Sequence, residues 1–113
     1  MPKPVIPRHR AQQDTEEAIN RYVHEAGVEV AIGFVDSLEE AYRLLSSHPA
    51  AGSPHYAHEL RIADLRHLRL QRYPYLVFYI ERSDCVDVWR ILHDRHDIPA
   101  WVRQTDPIAQ GSE

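Results

Sequence analysis

Histidine is the residue type in this sequence with the clearest chemical potential, and four histidines form two pairs spaced alike. The pairs are His55-x-x-His58 and His93-x-x-His96. Imidazole nitrogen is a ligand that zinc accepts, but a metal site also needs a backbone that fixes the ligand geometry. Neither pair falls on a predicted helix, and the only cysteine, Cys85, cannot form a cysteine cluster. We therefore predict no metal site and no other cofactor.

A few single residues could do chemistry without a metal. His93 ends a predicted strand, and histidine titrates near neutral pH, so it could serve as an acid/base or hydrogen-bonding group. Arg66 shares a strand face with two leucines, so it is either a buried arginine paired with a helix carboxylate or a functional cation. Tyr79 and Trp89 are expected to pack, and strand arginines in general to be solvated. No glycine-rich phosphate loop and no nucleophile elbow is present.

Charge is distributed unevenly along the 113 residues, although the net charge is only −4. Residues 11 to 59 carry two arginines against nine carboxylates, or −7, whereas residues 60 to 105 carry eight arginines against six carboxylates, or +2. A negative total argues against strong nonspecific nucleic-acid binding, which depends on many phosphate contacts, and we expect no direct specific nucleic-acid binding either. With one cysteine, no signal-like leader and no apolar run long enough to cross a bilayer, we expect a cytoplasmic protein that does not contact membranes.

These residues must be positioned by elements that the apolar spacing predicts. Recurrence at three and four residues predicts a first helix from Arg8 or Asp14 to Ala26 and a second from Glu29 to Ser47, joined tightly into an antiparallel hairpin. Residues 49 to 58 are expected to be a loop, and three short strands follow as an antiparallel meander. Asp14 with Glu17 has the spacing of a helix-capping pair.

The ends of the chain are expected to be weakly structured. The segment from Lys3 to Pro7 contains two prolines, and because proline cannot donate to a ladder it can form at most a short edge strand. We expect one α+β domain over residues 1 to 105, with the order β-α-α-β-β-β, and a disordered tail over residues 106 to 113.

Six motifs follow one another in a characteristic order. They are Ile19-x-x-Tyr22-Val23, Ala31-x-x-Phe34-x-x-x-Leu38, Leu45-x-x-x-Pro49-x-x-Gly52, Leu65-Arg66-x-Leu68-x-Leu70, Tyr75-Leu76-Val77-Phe78-Tyr79, and Val88-Trp89-Arg90-Ile91-Leu92-His93 followed by Arg95-His96-Asp97. Over residues 15 to 98 this series resembles the RelE/ParE superfamily of bacterial type II toxins, and the long acid-rich hairpin resembles its ParE branch, which includes plasmid stabilisation toxins.

The resemblance to the ParE branch implies a toxin that inhibits DNA gyrase by binding, without chemistry of its own. It also implies a cognate antitoxin, ParD-like or of another small family, that neutralises the toxin. The contacts with the target are then expected on the last strand and the segment after it. The expected target-binding residues are His93, Arg95, His96, Asp97 and Trp101.

Two other functions on the same fold stay open. A RelE-like ribosome-dependent endoribonuclease would need a base, a cation for the phosphate and an acid for the leaving oxygen, and it would be metal-independent. The residues that could take those parts are Arg66, Tyr79, Arg90 and His93. Such an enzyme is expected to be basic, and this chain is acidic. The third possibility is a non-toxic interaction module.

The strand from Tyr75 to Ile80 is apolar on both faces, which has a consequence for partners. The hairpin covers one face, and the expected core there is Phe34, Leu38, Leu45, Leu68, Leu70, Val77 and Val88. With one helical layer, the other face would expose Leu76, Phe78 and Ile80 to solvent unless a partner covers them. We therefore expect these three to bind the antitoxin, either as a groove for a helix or beside a poorly guarded N-terminal sheet edge.

Overall fold

A hairpin of two long helices dominates the first half of the fold. The computed structural model describes residues 2 to 96 and 98 to 103. Helix α1 spans His9–Ala26 and helix α2 spans Val28–Ser47. Gly27 alone joins them, with a φ of 102°, a conformation that glycine adopts without the steric cost of a side chain. The hairpin is therefore as predicted, with each helix starting within one residue of a predicted start.

The sheet has four strands in the order β1, β4, β3, β2. These strands are β1 (Val5–Pro7), β2 (Leu65–Arg69), β3 (Tyr75–Glu81) and β4 (Val86–His93). The last three form the expected antiparallel meander. Strand β1 lies at an edge, as expected, and it pairs with β4 in parallel, so the sheet as a whole is mixed.

The hairpin packs on one face of the sheet and encloses the larger core. Phe34, Leu45 and Val77 are fully buried there, next to Leu38, Leu70 and Val88. Leu68 packs against this core but is only half-buried. The predicted core is therefore confirmed, with Leu68 at its margin because it lies on the edge strand β2.

The opposite face of the sheet is covered by the chain itself, which corrects the expectation of a single helical layer. Two six-residue helices, α3 (His55–Leu60) and α4 (Ile98–Arg103), enclose a second core against β3. Leu76, Phe78 and Ile80 are 8%, 0% and 5% exposed. The expectation that these three residues face solvent, on which their assignment to the antitoxin depended, was therefore wrong.

Two further expectations from the sequence are corrected by the structure. The segment predicted as a loop contains a 3-10 turn at Pro49–Ala51 and the start of α3. The segment before β1, expected to be poorly protected, is hydrogen-bonded to α2. The Lys3 amide donates to the Ser46 carbonyl at 3.0 Å, and the Ser46 hydroxyl donates to the Lys3 carbonyl at 2.6 Å.

The predicted tail, residues 106 to 113, lies outside the described residues. None of the described helices is long and apolar enough to span a membrane.

Candidate functional site

Three of the five predicted target-binding residues come together where β4 ends. The His93 and His96 rings lie 6.2 Å apart between centroids, and His96 stacks on Trp101 at 4.4 Å. Tyr75, at the start of β3, contacts the His93 ring at 5.2 Å. We call His93, His96 and Trp101 the C-terminal aromatic surface. It offers three partly exposed rings, and one of them belongs to tryptophan, a residue type that is enriched at protein interfaces.

The other two predicted target-binding residues, Arg95 and Asp97, are not part of this surface as we define it. The Arg95 side chain is exposed beside this surface, and its backbone amide donates to His93 Nδ1 at 3.1 Å. That bond fixes the ring position of His93. Asp97 lies outside the described residues.

A buried ion pair lies beneath the surface and holds its parts together. Arg90 is fully buried and makes a bidentate pair with Asp14 of α1, at 2.7 Å from Nε and 3.0 Å from Nη2. Arg90 Nη1 also donates to the Trp101 carbonyl at 2.6 Å. One guanidinium thereby connects helix α1, strand β4 and helix α4. The expectation that strand arginines are solvated was wrong for Arg90.

Asp14 lies beside a part of β4 that the short strand β1 leaves unpaired. Strand β1 ends at Pro7, so the edge of β4 beyond Val88 has no neighbouring strand. Asp14 Oδ2 accepts the Ile91 amide at 3.0 Å, which satisfies the exposed edge with a side chain. Asp14 therefore lies within α1 as a buried partner of β4, and the predicted capping role was wrong. The sequence shows a carboxylate at position 14, but it does not indicate that the partner of this carboxylate is Arg90, 76 residues away.

Burial and neighbouring groups shift the pKa values of three side chains at or beside the C-terminal aromatic surface. Burial lowers the pKa of His93, although the neighbouring Asp94 carboxylate partly opposes this shift. Asp94 is held by Arg69 at 2.7 Å, and that hydrogen bond lowers the pKa of Asp94. Burial also raises the pKa of the Tyr75 phenol. The lowered pKa of His93 and the raised pKa of Tyr75 both favour the uncharged side chain.

The residues that a nuclease would need are not brought together. Arg66 is the register partner of Tyr79, while His93 is opposite Tyr75, four residues away along β3. Four residues of strand span about 13 Å. Arg90 is buried under the surface. These candidates therefore have no common site in this fold.

Tyr79 and Arg66 instead fix the segment before α3. The fully buried Tyr79 hydroxyl donates to the Pro49 carbonyl at 2.6 Å and accepts the Gly52 amide at 2.9 Å. Arg66 donates to the Gly52 carbonyl at 2.7 Å, so its partner is loop backbone and not the helix carboxylate that one of the two expectations named. A Cβ on Gly52 would lie 2.5 Å from the Tyr79 hydroxyl, which explains why glycine stands there. Burial raises the pKa of Tyr79, although the Gly52 amide and Arg66 oppose this.

A polar cluster that sequence reasoning missed lies at the other end of β4. Asp87 accepts two hydrogen bonds from Arg8, at 3.0 and 2.9 Å, and further ones from Arg82 and Trp89. The Arg8 guanidinium lies 4.4 Å from the Trp89 ring centroid. Burial alone would raise the pKa of Asp87, but the bonds from Arg8 and Arg82 lower it overall. The cluster fastens the start of α1 to β4, and the alternation of Asp87 with Trp89 was its only signal in the sequence.

The histidine pairs do not form a ligand cluster in the part of the chain that the structure describes. No three histidine, cysteine, aspartate or glutamate side chains converge there. His55 is near Glu59, at 3.6 Å, and the His67 ring lies against Tyr56 and Phe78.

The helical hairpin packed on a four-stranded sheet defines a class of small α+β domains. Among solved structures, the chain is similar to one from the chromosomal ParDE TA system from P. aeruginosa, with a TM-score of 0.68 and 22% identity. The match covers 80% of this chain and 95% of that chain, and at this identity it shows the fold alone. A comparison with curated proteins found no significant match.

A family model then identifies the particular branch. Residues 5 to 98 match the ParE toxin of type II toxin-antitoxin system, parDE. The match covers most of the chain and includes the helical hairpin and all four strands. This chain belongs to the ParE toxin family.

Proposed function

We propose that this ParE-family protein inhibits DNA gyrase by binding to it and is neutralised by a cognate antitoxin. The family belongs to a type II toxin-antitoxin system, which supports an antitoxin as a partner. Gyrase as the target extends the resemblance to the ParE branch. On this proposal the protein acts in the cytoplasm, contacts no membrane and catalyses no reaction.

The observation that carries the proposal is the construction of the C-terminal aromatic surface. His96 and Trp101 are half-buried rings held in one stack, and the Trp101 backbone is tied to the buried Arg90. Rings that are held before binding lose little conformational entropy in a complex, so they can serve as binding anchors. The surface thus has the properties of a docking site, with Arg95 as an exposed charge beside it.

The RelE-like alternative receives no support from the geometry. Tyr79 and Arg90 are both 0% exposed and use their polar atoms inside the protein. A general acid or a phosphate-binding cation must reach the substrate, so these two residues would have to leave their partners. We therefore do not propose a nuclease.

One preparation of the protein can separate the three functions. We expect it to inhibit gyrase-dependent supercoiling of plasmid DNA and to leave mRNA intact in a translating extract. Cleaved mRNA with normal supercoiling would favour the nuclease, and no effect in either assay would favour a non-toxic interaction module. Adding the cognate antitoxin should restore supercoiling.

A further inference from the structure

The tip of the helical hairpin exposes large aliphatic side chains that the described part of the chain leaves uncovered. We define the hairpin tip as residues 23 to 32. Val28 and Ile32 are 60% and 55% exposed, and Val23, on the other side of the turn, is 38% exposed. Val28 and Ile32 are four residues apart on α2 and so share one face of the helix. The inner face of the same helix buries Ala31 and Phe34 in the core, so α2 is apolar on two sides here.

The hairpin tip lies within a longer segment whose lysine, arginine, aspartate and glutamate positions are all acidic. Residues 22 to 42, the acidic hairpin segment, contain five carboxylates and no lysine or arginine. All five side chains are exposed, and among the described residues none of them forms an ion pair. They are Glu25, Glu29, Asp36, Glu39 and Glu40. Elsewhere, several carboxylates of the fold are paired, as Asp14 and Asp87 are.

The hairpin tip is fixed to the sheet, so its surface is formed before binding. Tyr22 and Phe34 contact Tyr73 and Tyr75 with ring centroids 5.2 to 6.1 Å apart. The Tyr73 hydroxyl donates to the Val30 carbonyl at 3.1 Å. The tyrosine ring lies over Gly33, where a side chain would meet the Tyr73 hydroxyl. The exposed valine and isoleucine are therefore presented on an ordered scaffold.

We propose that the hairpin tip is a binding surface for a basic, amphipathic helix of the cognate antitoxin. The apolar side of that helix would cover Val28 and Ile32. Its lysine or arginine side chains would pair with the surrounding carboxylates, chiefly with Glu25 and Glu29, which lie within the tip itself. The charge of the acidic hairpin segment favours a basic occupant, because an acidic one would bring like charges together at short distance. An exposed aliphatic patch with a polar rim is typical of a protein interface.

The antitoxin is the partner to which this inference commits. The inference rests on the proposed function for the identity of that partner, and its site is separate from the residues assigned to gyrase. The hairpin tip is nevertheless connected to them, since Tyr73 holds α2 and Tyr75 contacts His93. An antitoxin helix bound here would lie beside the C-terminal aromatic surface and could restrict access to it.

The test compares two tip variants with a control of equal charge change. Val28→Ser with Ile32→Ser removes the apolar contact, and Glu25→Lys with Glu29→Lys reverses the charge. Glu16→Lys with Glu59→Lys makes the same charge change at exposed positions outside the tip. The affinity for the cognate antitoxin is measured by calorimetry, and each variant is also tested in the gyrase assay without antitoxin.

We expect each tip variant to bind the antitoxin roughly tenfold or more weakly, while the control stays within about threefold. The charge variant should also lose much of the dependence of affinity on salt. Gyrase inhibition by all variants should match that of the unmodified chain. Equal affinities for tip variants and control would overturn the inference while leaving the toxin-antitoxin function intact. Weaker gyrase inhibition with unchanged antitoxin affinity would assign the tip to the target and also overturn it. An unmodified chain that fails to bind the antitoxin would overturn both proposals.

Discussion

Asp14 and Arg90 form a bidentate ion pair across 76 residues of sequence, and both side chains are almost completely buried. Asp14 also accepts a backbone amide of β4, and Arg90 also donates to the backbone of α4. Burial of two charges costs solvation energy that their mutual attraction must offset, so the pair stabilises the fold only while both members are present. The C-terminal aromatic surface depends on this pair, because Trp101 is held by it.

The first prediction follows from that dependence. Arg90→Met should lower the free energy of unfolding by about 3 to 5 kcal/mol, because it leaves the Asp14 carboxylate buried without its cation. The double variant with Asp14→Asn should lose less, since no uncompensated charge stays behind. The free energies of unfolding are measured with urea and compared between variants whose m-values are equal. As a control, Arg69→Met breaks the exposed pair with Asp94 and should cost less than about 1 kcal/mol. Similar losses for the Arg90 and Arg69 variants would contradict the prediction.

Tyr79→Phe separates a structural from a catalytic tyrosine. The change leaves the Pro49 carbonyl and the Gly52 amide without their partner, so we expect a loss of about 1 to 3 kcal/mol in unfolding free energy. Gyrase inhibition by the folded variant should be unchanged below its unfolding temperature. A general acid would instead account for about 10² to 10⁴ of a reaction rate. Tyr73→Phe, which loses one bond to the Val30 carbonyl, is the matched control for stability.

Stability should fall as the pH is lowered from about 7 toward 5. Burial lowers the pKa of both His67 and His93 in the folded protein, so between that value and the unfolded value of about 6.5 the unfolded chain binds more protons. The contribution of the neutral histidines is complete above about 6.5 and is lost as the pH falls through their folded pKa. His67→Phe, placed between Tyr56 and Phe78, should make the profile flatter. Urea midpoints measured across this range give the profile, and a midpoint that rises on acidification would exclude this explanation.

Single changes in the C-terminal aromatic surface should weaken gyrase inhibition gradually. His96→Ala and Trp101→Ala each remove one partner of the stack, and truncation of an interface anchor typically costs a factor of about 5 to 30 in affinity. Neither change should abolish inhibition, because binding is distributed over several contacts. Inhibition of supercoiling at increasing toxin concentration measures the effect. Trp89→Phe, a tryptophan of the Asp87 cluster at the other end of β4, serves as control. Unchanged inhibition by both alanine variants would remove this surface from the proposed interface.

Local patterns in the sequence were sufficient to predict the helical hairpin, the antiparallel meander and most of the core between them. The apolar stripes of α1 and α2 run over 18 and 20 residues, and such lengths repeat the helical period several times. Gly27 marks the turn because its positive φ favours glycine. The clustering of His93, His96 and Trp101 was also accessible, since these residues are close in sequence around the end of one strand.

The tertiary structure alone decided how the second face of the sheet is covered and which charges are buried. Helices α3 and α4 have six residues each, too few to show a helical period, so the sequence did not reveal that they would bury Leu76, Phe78 and Ile80. The burial of Arg90 depends on a carboxylate that is distant in sequence and on an edge of β4 left open by a short strand. A side chain's own type and spacing do not encode such a partner, because an arginine is buried only where the folded chain supplies its counter-charge.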